Sequence, residues 1–231
     1  MKKLLLATLL ITPVIAFGKP GGIEASNYTA GFNATDTEIG NIYSLYGDIR
    51  LPVTDYLGAT LNISGTKSAY DAPYFDSTTA AAGVGLLFRK YDLGSLEIGY
   101  GYSDTNYDVP GSDFNIRSNT YTLDGTYYLG RFDITASRSV YDPDSGNNSH
   151  GLQIGAAYYL TDNLQAGISA GGMDNEDSYS FAIIHQPSFF NNNIGYTIGV
   201  VDSADFDPSY YLSVAYFFGT RVSLIERFRK Y

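Results

Sequence analysis

Few side chains in this chain could do chemistry. The 231 residues include 2 His and no Cys. His150 follows Asn147-Asn148-Ser149, which invites a Ser–His reading. A nucleophile and its base must converge, yet adjacent residues in a strand point to opposite faces. If His150 opens a strand, the two side chains diverge, so no catalytic residue is assigned. His185 continues the row Tyr179, Phe181, Ile183 and reads as one more ring at an interface. Without thiols and with only these imidazoles, no transition-metal site is expected. Carboxylates cluster in polar segments: Asp104, Asp108 and Asp113; Asp142 and Asp144; Asp174, Glu176 and Asp177; Asp202, Asp205 and Asp207. Oxygen ligands in loops suit loosely bound Ca²⁺. None has the spacing of a helix–loop–helix calcium site, and solvated loops are the plainer reading. No cofactor is implied.

The elements that must position these groups begin after a leader. Lys2 and Lys3 precede an apolar run from Leu4 to Ala16, and Val14-Ile15-Ala16 and Ala16-Phe17-Gly18 resemble small-residue cleavage sites. Residues 1–18 therefore read as a secretory signal peptide, too short for a comfortable membrane span. Beyond it no apolar stretch is long enough for a transmembrane helix. The 14 Lys and Arg less Lys2 and Lys3 leave 12 against 24 Asp and Glu, a net charge of −12. That balance argues against nucleic-acid partners. The composition, with 22 Tyr, 13 Phe, 25 Gly and no Trp, suits a sheet and membrane interfaces. A soluble β-sandwich could share it.

Period-two alternation runs through nearly the whole chain beyond the leader. Leu96, Ile98, Tyr100 and Tyr102 alternate with Glu97, Gly99, Gly101 and Ser103; Leu152, Ile154, Ala156, Tyr158 and Leu160 alternate with Gln153, Gly155, Ala157, Tyr159 and Thr161. Such runs are the strand signal. They give about twelve strands, with 10–14 possible, near 24–33, 41–51, 56–67, 78–90, 94–105, 116–129, 131–141, 150–160, 164–172, 178–186, 194–201 and 209–218. Short connections (52–55, 91–93, Gly130, 161–163, and the slightly longer 187–193) take turns with polar loops at 33–40, 68–77, 104–115, 142–149, 173–177 and 202–208. Tight turns at one end and longer loops at the other mark a transmembrane barrel. An even strand count returns both termini to the periplasmic side.

With its leader, alternation, turn rhythm and girdle-like Tyr and Phe, the chain resembles the bacterial outer-membrane β-barrel proteins, porin-like members included. The resemblance covers the whole chain beyond the leader, with residues 19–218 as the barrel, and rests on pattern rather than on a fixed motif. Twelve-stranded acidic-sugar and nucleoside channels are similar in size. The resemblance implies a single antiparallel barrel in the outer membrane, with lipid, lipopolysaccharide and the barrel-insertion machinery as partners. Barrels of this class end on an aromatic residue, a part that Tyr216 and Phe218 would fill. Yet residues 219–231 follow, carrying Arg221, Arg227, Arg229 and Lys230 against Glu226. This basic periplasmic tail reads either as a short amphipathic helix on Val222, Ile225 and Phe228 that caps the mouth, or as an ordinary disordered tail.

A sheet in lipid must close, because every backbone group needs a partner there. The apolar face then meets lipid: Leu61, Ile63, Val84, Leu86, Phe88, Ile98, Leu123, Ile134, Ile154, Ile168, Phe181, Ile198 and Val214. Tyr102, Tyr158, Tyr216 and His185 are placed at its interfaces. Arg138 falls on the same face near the outer end of strand 7, at the level of lipopolysaccharide phosphate. The lumen receives Asp48, Arg50, Arg89, Glu97, Asp124, Arg131 and Asp133, all towards the periplasmic half. They form either a salt-bridge network that fills the interior or a charged constriction that selects solutes. Their mixed signs favour the network, and the basic lumen associated with sugar-acid channels is missing. Strands 8 to 11 present small interior residues, which leave space for a water path or for Tyr46, Tyr128 or the tail. The expected function is passive, porin-like diffusion of small hydrophilic solutes. A non-conducting structural or surface-interaction barrel is the alternative, and an outer-membrane hydrolase the remote one.

Overall fold

A computed structural model of the protein describes residues 27–54, 56–71, 75–174, 176–204, 206–218 and 221–230, without the side chains of Asp113 and Lys230. The expected signal peptide, Asp205 and Tyr231 lie outside the described residues.

The alternating segments become twelve strands: β1 (Asn27–Thr37), β2 (Gly40–Pro52), β3 (Leu57–Tyr70), β4 (Ser77–Lys90), β5 (Gly94–Val109), β6 (Ser112–Leu129), β7 (Phe132–Pro143), β8 (Ser149–Thr161), β9 (Leu164–Met173), β10 (Glu176–His185), β11 (Ile194–Ser203) and β12 (Phe206–Phe218). A helix, α1 (Leu224–Lys230), follows. Each strand pairs antiparallel with its sequence neighbours, and β1 pairs with β12 from Tyr28↔Phe218 to Asp36↔Tyr210, which closes the barrel. The end carrying Asn27 and Phe218 is termed the lower rim, and the opposite end the upper rim.

The barrel is inside out relative to a soluble protein. Twelve of the thirteen residues assigned to lipid, all but the half-buried Val214, are exposed on the outer wall. The lumen side carries Ser, Thr, Asn, Gln and Gly at most positions of the register. No helix among the described residues is long and apolar enough to cross a membrane. Lipid-exposed backbone is satisfied instead by the closed ladder. Rings gather at two levels. Tyr100 and Tyr121 lie 5.5 Å apart on adjacent strands towards the upper rim. At the lower rim Phe132 and Tyr158 lie 4.6 Å apart, as do Tyr216 and Phe218.

The upper connections differ from expectation. The loop assigned to 104–115 is a continuation of β5 and β6, paired out to Val109↔Ser112 across a Pro110-Gly111 turn. Gly111 there has φ +79°, a conformation that glycine takes without strain. The loop assigned to 33–40 is likewise a Glu38-Ile39 turn. Backbone pairing persists above the lipid, where the outward positions turn polar and the apolar half of the alternation ends. The two rims therefore differ less in loop length than expected.

Candidate functional site: the lumen and its lower floor

At mid-height the lumen is lined by hydroxyls, and towards the upper rim by buried Ile42, Tyr70, Ile116, Tyr141 and Met173. Ser44 bonds Thr66 at 2.9 Å, Thr79 bonds Thr105 at 2.9 Å, Ser103 bonds Ser118 at 2.7 Å, and Ser169 bonds Ser180 at 2.6 Å. The β3, β5 and β6 wall is the open one. Inward-facing Asn62 is exposed, and Ser64, Thr66, Ser103, Thr120 and Thr122 are half-buried. On the other side aromatic rings lie over glycines. Tyr46 covers Gly31, Phe217 covers Gly195, and Tyr211 covers Gly199. The space that small residues leave on β11 is thus taken by the neighbouring strand.

The charged residues sit at the floor, six of the expected seven facing inward. Arg50 stands opposite Thr60, Asp48 opposite Asn62, and Arg89 opposite Ser95. Glu97 and Asp124 are direct cross-strand partners. Thr60 on β3 donates to Glu97 Oε1 on β5 at 3.0 Å. The bond passes over Gly85 of β4, where a Cβ would come within 2.5 Å of Thr60 Oγ1. Arg89 is 4% exposed, and its Nε finds no hydrogen-bond partner among the described residues. Asp133 is buried opposite Tyr128 and Ala157.

Arg131 is the exception. It lies in the Gly130-Arg131 turn rather than in β7, with Gly130 at φ +59°. That turn takes it out of the alternation. Its exposed guanidinium donates to Tyr159 O at 3.1 Å and pairs with Asp162 at 3.0 Å, so it ties two rim turns together.

The tail supplies what the strand pattern did not show. Ser223 caps α1: its Oγ accepts from Glu226 N at 3.4 Å, while Glu226 Oε2 accepts from Ser223 N at 3.3 Å. This reciprocal pair is a capping box. One turn apart, Leu224 and Phe228 are buried; they pack with Tyr159, and Ile184 and Ile225 flank them. Asn163 Oδ1 accepts from Leu224 N at 3.0 Å, and Asp162 O accepts from Ile225 N at 3.0 Å. Arg227, 1% exposed, donates to Gln186 Oε1 at 3.3 Å and to Asn192 O at 3.0 Å, and stacks 4.2 Å over Phe217. Arg229 donates to Asp133 Oδ1 at 2.7 Å and to Phe132 O at 3.2 Å. Tyr159 donates to the other Asp133 oxygen at 2.9 Å. Of the two readings of the tail, the helical cap is the one the chain adopts, with Leu224 rather than Val222 as the second buried anchor.

The remaining assigned residues fall as follows. Arg138 points outward between Leu123 and Leu152. Because β7 continues five residues beyond it, it lies one rung below Tyr121 rather than at the strand's end. Tyr102, Tyr158, Tyr216 and His185 are exposed on the outer wall. His150 faces outward and Ser149 inward beside Tyr141, so the two diverge. Among the described residues no three His, Asp or Glu side chains gather as a metal site.

This architecture has solved counterparts. The KdgM porin, captured in complex with disordered oligogalacturonate, superposes with a TM-score of 0.64 at 11% identity, covering 83% of this chain and 99% of that one. The chain folds as an outer-membrane-type β-barrel. An outer membrane channel from Pseudomonas putida F1 (TM-score 0.53, 13% identity, 86% of this chain and 96% of that one) has the same fold. So does the translocator domain of the autotransporter NalP from Neisseria meningitidis (0.52, 12%, 91% and 94%). No family model and no curated protein matches the chain. Barrels of this type thus include both channels and a translocator, and the lumen must say which behaviour this one supports.

Proposed function

We propose that the protein is an outer-membrane barrel, its lower rim in the periplasm, that passes small hydrophilic solutes by passive diffusion. The observation that carries this reading is the half-open polar wall of β3, β5 and β6 at mid-height, with Asn62 exposed to the interior. Hydroxyl and amide groups facing water along the barrel axis offer solutes hydrogen bonds in place of their hydration shell. Twelve strands lie between the eight that side chains fill and the 16–18 that leave a wide channel, which fits a narrow path. The solved KdgM porin and the Pseudomonas putida channel support the same class of behaviour. The floor charges tune the solute class. Asp48, Glu97 and Asp124 against Arg50 and Arg89 give no excess of positive charge, so neutral solutes are favoured over acidic ones. Outside, the ring levels mark the two interfaces, and Arg138 reaches upward to lipopolysaccharide phosphates from just beneath the upper one. Phe218, the last residue of β12, is the terminal aromatic offered to the insertion machinery.

The test is uptake of neutral sugars of graded size into proteoliposomes, with the full chain and with a chain ending at Phe218. Size-dependent uptake in either supports a channel. Impermeability in both overturns it. A second reading, a non-conducting barrel, is favoured by one specific observation, the seating of α1 in the lower mouth, and impermeability of both chains is its expected result.

A further inference from the structure

We infer that α1 is a reversible gate: seated, it narrows the lower mouth, and released, it opens a second, wider conducting state. The inference rests on the channel reading above but is drawn from a separate set of contacts.

The seat is specific. Two apolar anchors, Leu224 and Phe228, are buried on Tyr159, and two guanidiniums enter the lumen floor beside them. Each guanidinium has an acceptor on the wall and a ring beneath it. Arg227 has Gln186 and Phe217; Arg229 has Asp133, with Tyr128 at 5.0 Å and Tyr159 at 5.4 Å. Charge of this density suits neither lipid nor an idle tail. It is matched by the one buried acid of β7 and by the carbonyls of the 186–193 turn. These named contacts all fall on β6 to β12, and of them only Tyr128 of β6 belongs to a strand of the polar wall.

The seat is also detachable. Among the described residues a single backbone–backbone hydrogen bond, Ile225 N to Asp162 O, joins α1 to the barrel. Every pair of strands, by contrast, is held by a full ladder. Everything else in the seat is side-chain contact, and α1 carries its own cap at Ser223. The helix can therefore leave without breaking any rung of the barrel, and its Arg side chains are hydrated once it does. An element with few backbone bonds to its neighbours opens at lower free energy than the structure it rests on.

Two measurements separate this inference from the channel reading. The chain has no Cys, so single thiols report on position without background. In the full-length barrel reconstituted in liposomes, Leu224→Cys should react with a small maleimide at least about tenfold more slowly than Arg221→Cys, because the first reacts only through opening. Equal rates would show that α1 is not seated and would overturn the inference whatever the barrel conducts. In planar bilayers the full chain should step between a low and a high level, and the chain ending at Phe218 should show only the high one. The Leu224→Ala/Phe228→Ala variant, which keeps the chain length, should spend more time at the high level. Identical conductance in the full and shortened chains would overturn the gate while leaving the channel intact. Silence in both would remove the channel reading and the gate with it.

Discussion

Replacing Asp133 with Ala isolates the contact that holds α1 most firmly. Asp133 is 5% exposed, and its carboxylate accepts from Arg229 at 2.7 Å and from Tyr159 at 2.9 Å. Removing one partner of a buried pair costs about 3–5 kcal/mol, because the other charge stays buried without compensation. Here the protein has an escape, since Arg229 is carried on a helix that can move into water. The penalty therefore falls on the seated state alone. At about 1.4 kcal/mol per tenfold change, it lowers the ratio of seated to released helix by at least about 100-fold. Trypsin reads that ratio, because Arg227 is 1% exposed when seated and becomes a substrate on release. When opening is fast relative to cleavage, the rate tracks the open population. Cleavage after Arg227, resolved by mass spectrometry from cleavage after the exposed Arg221, should rise by at least about 100-fold or reach the rate of a free peptide. Asp133→Asn keeps one acceptor oxygen but loses the charge and puts an NH2 donor in place of the other, and should rise by at least about tenfold. The barrel itself should keep its heat-dependent gel shift in both variants. If Asp133→Ala is cut within about threefold of the parent rate while the barrel remains folded, the pair does not hold the helix and the reasoning fails.

Other parts of the structure yield separate expectations. At Gly199 an added Cβ would come within 2.4 Å of the Tyr211 phenol, whereas at Gly65 it would meet nothing within 4 Å. Gly199→Ala should therefore cost about 1–3 kcal/mol in urea unfolding from lipid vesicles, and Gly65→Ala close to nothing; equal effects would contradict the lumen packing. Arg138→Leu should stabilise the barrel by about 1 kcal/mol in the same titration, since the outward charge lies one rung inside the Tyr100–Tyr121 pair and the cost there is below the midplane value. Destabilisation would mean that the guanidinium has a protein partner.

Strand count and facing were legible because lipid imposes a simple rule on alternate residues. Leu96, Ile98, Tyr100 and Tyr102 had to face one way, and the register of β5 then placed Glu97 inside. The same rule stops working above the lipid. There Asn106, Asp108 and Asn115 face outward while Tyr107, Phe114 and Ile116 take the inward side, so the pattern inverts and the hairpin that carries β5 and β6 to Val109 and Ser112 reads as a loop. Arg131 misled for a local reason: a glycine at positive φ ended the alternation one residue before it. The tail left two readings open for a nonlocal one. Seven helical residues display barely two turns of a period, and the charges that make the segment look unfit for burial are matched by Asp133 and Gln186, far away in the chain. Besides the spacing of Val222, Ile225 and Phe228, the Ser223–Glu226 box was a local sign of a helix.

The distribution of charge over the floor makes size and ion selectivity separable. Asp48, Arg50, Arg89, Glu97 and Asp124 belong to β2 and β4 to β6, next to the open polar wall. The named contacts of α1 belong to β6 to β12. If solutes follow the polar wall, they pass the first set of charges whether or not the helix is seated. Removing α1 should then raise the size of sugar that enters proteoliposomes while shifting the cation-to-anion permeability ratio little. The Glu97→Gln/Asp124→Asn variant should do the reverse: with Arg50 and Arg89 left in place, the reversal potential in a salt gradient should move towards anion preference, at an unchanged sugar cut-off. Reversal-potential and uptake measurements on the same two proteins decide the matter. A change in ion preference on removing α1 as large as that of the double variant would place the helix in the ion path. The two walls would then act as one constriction rather than as a filter beside a gate.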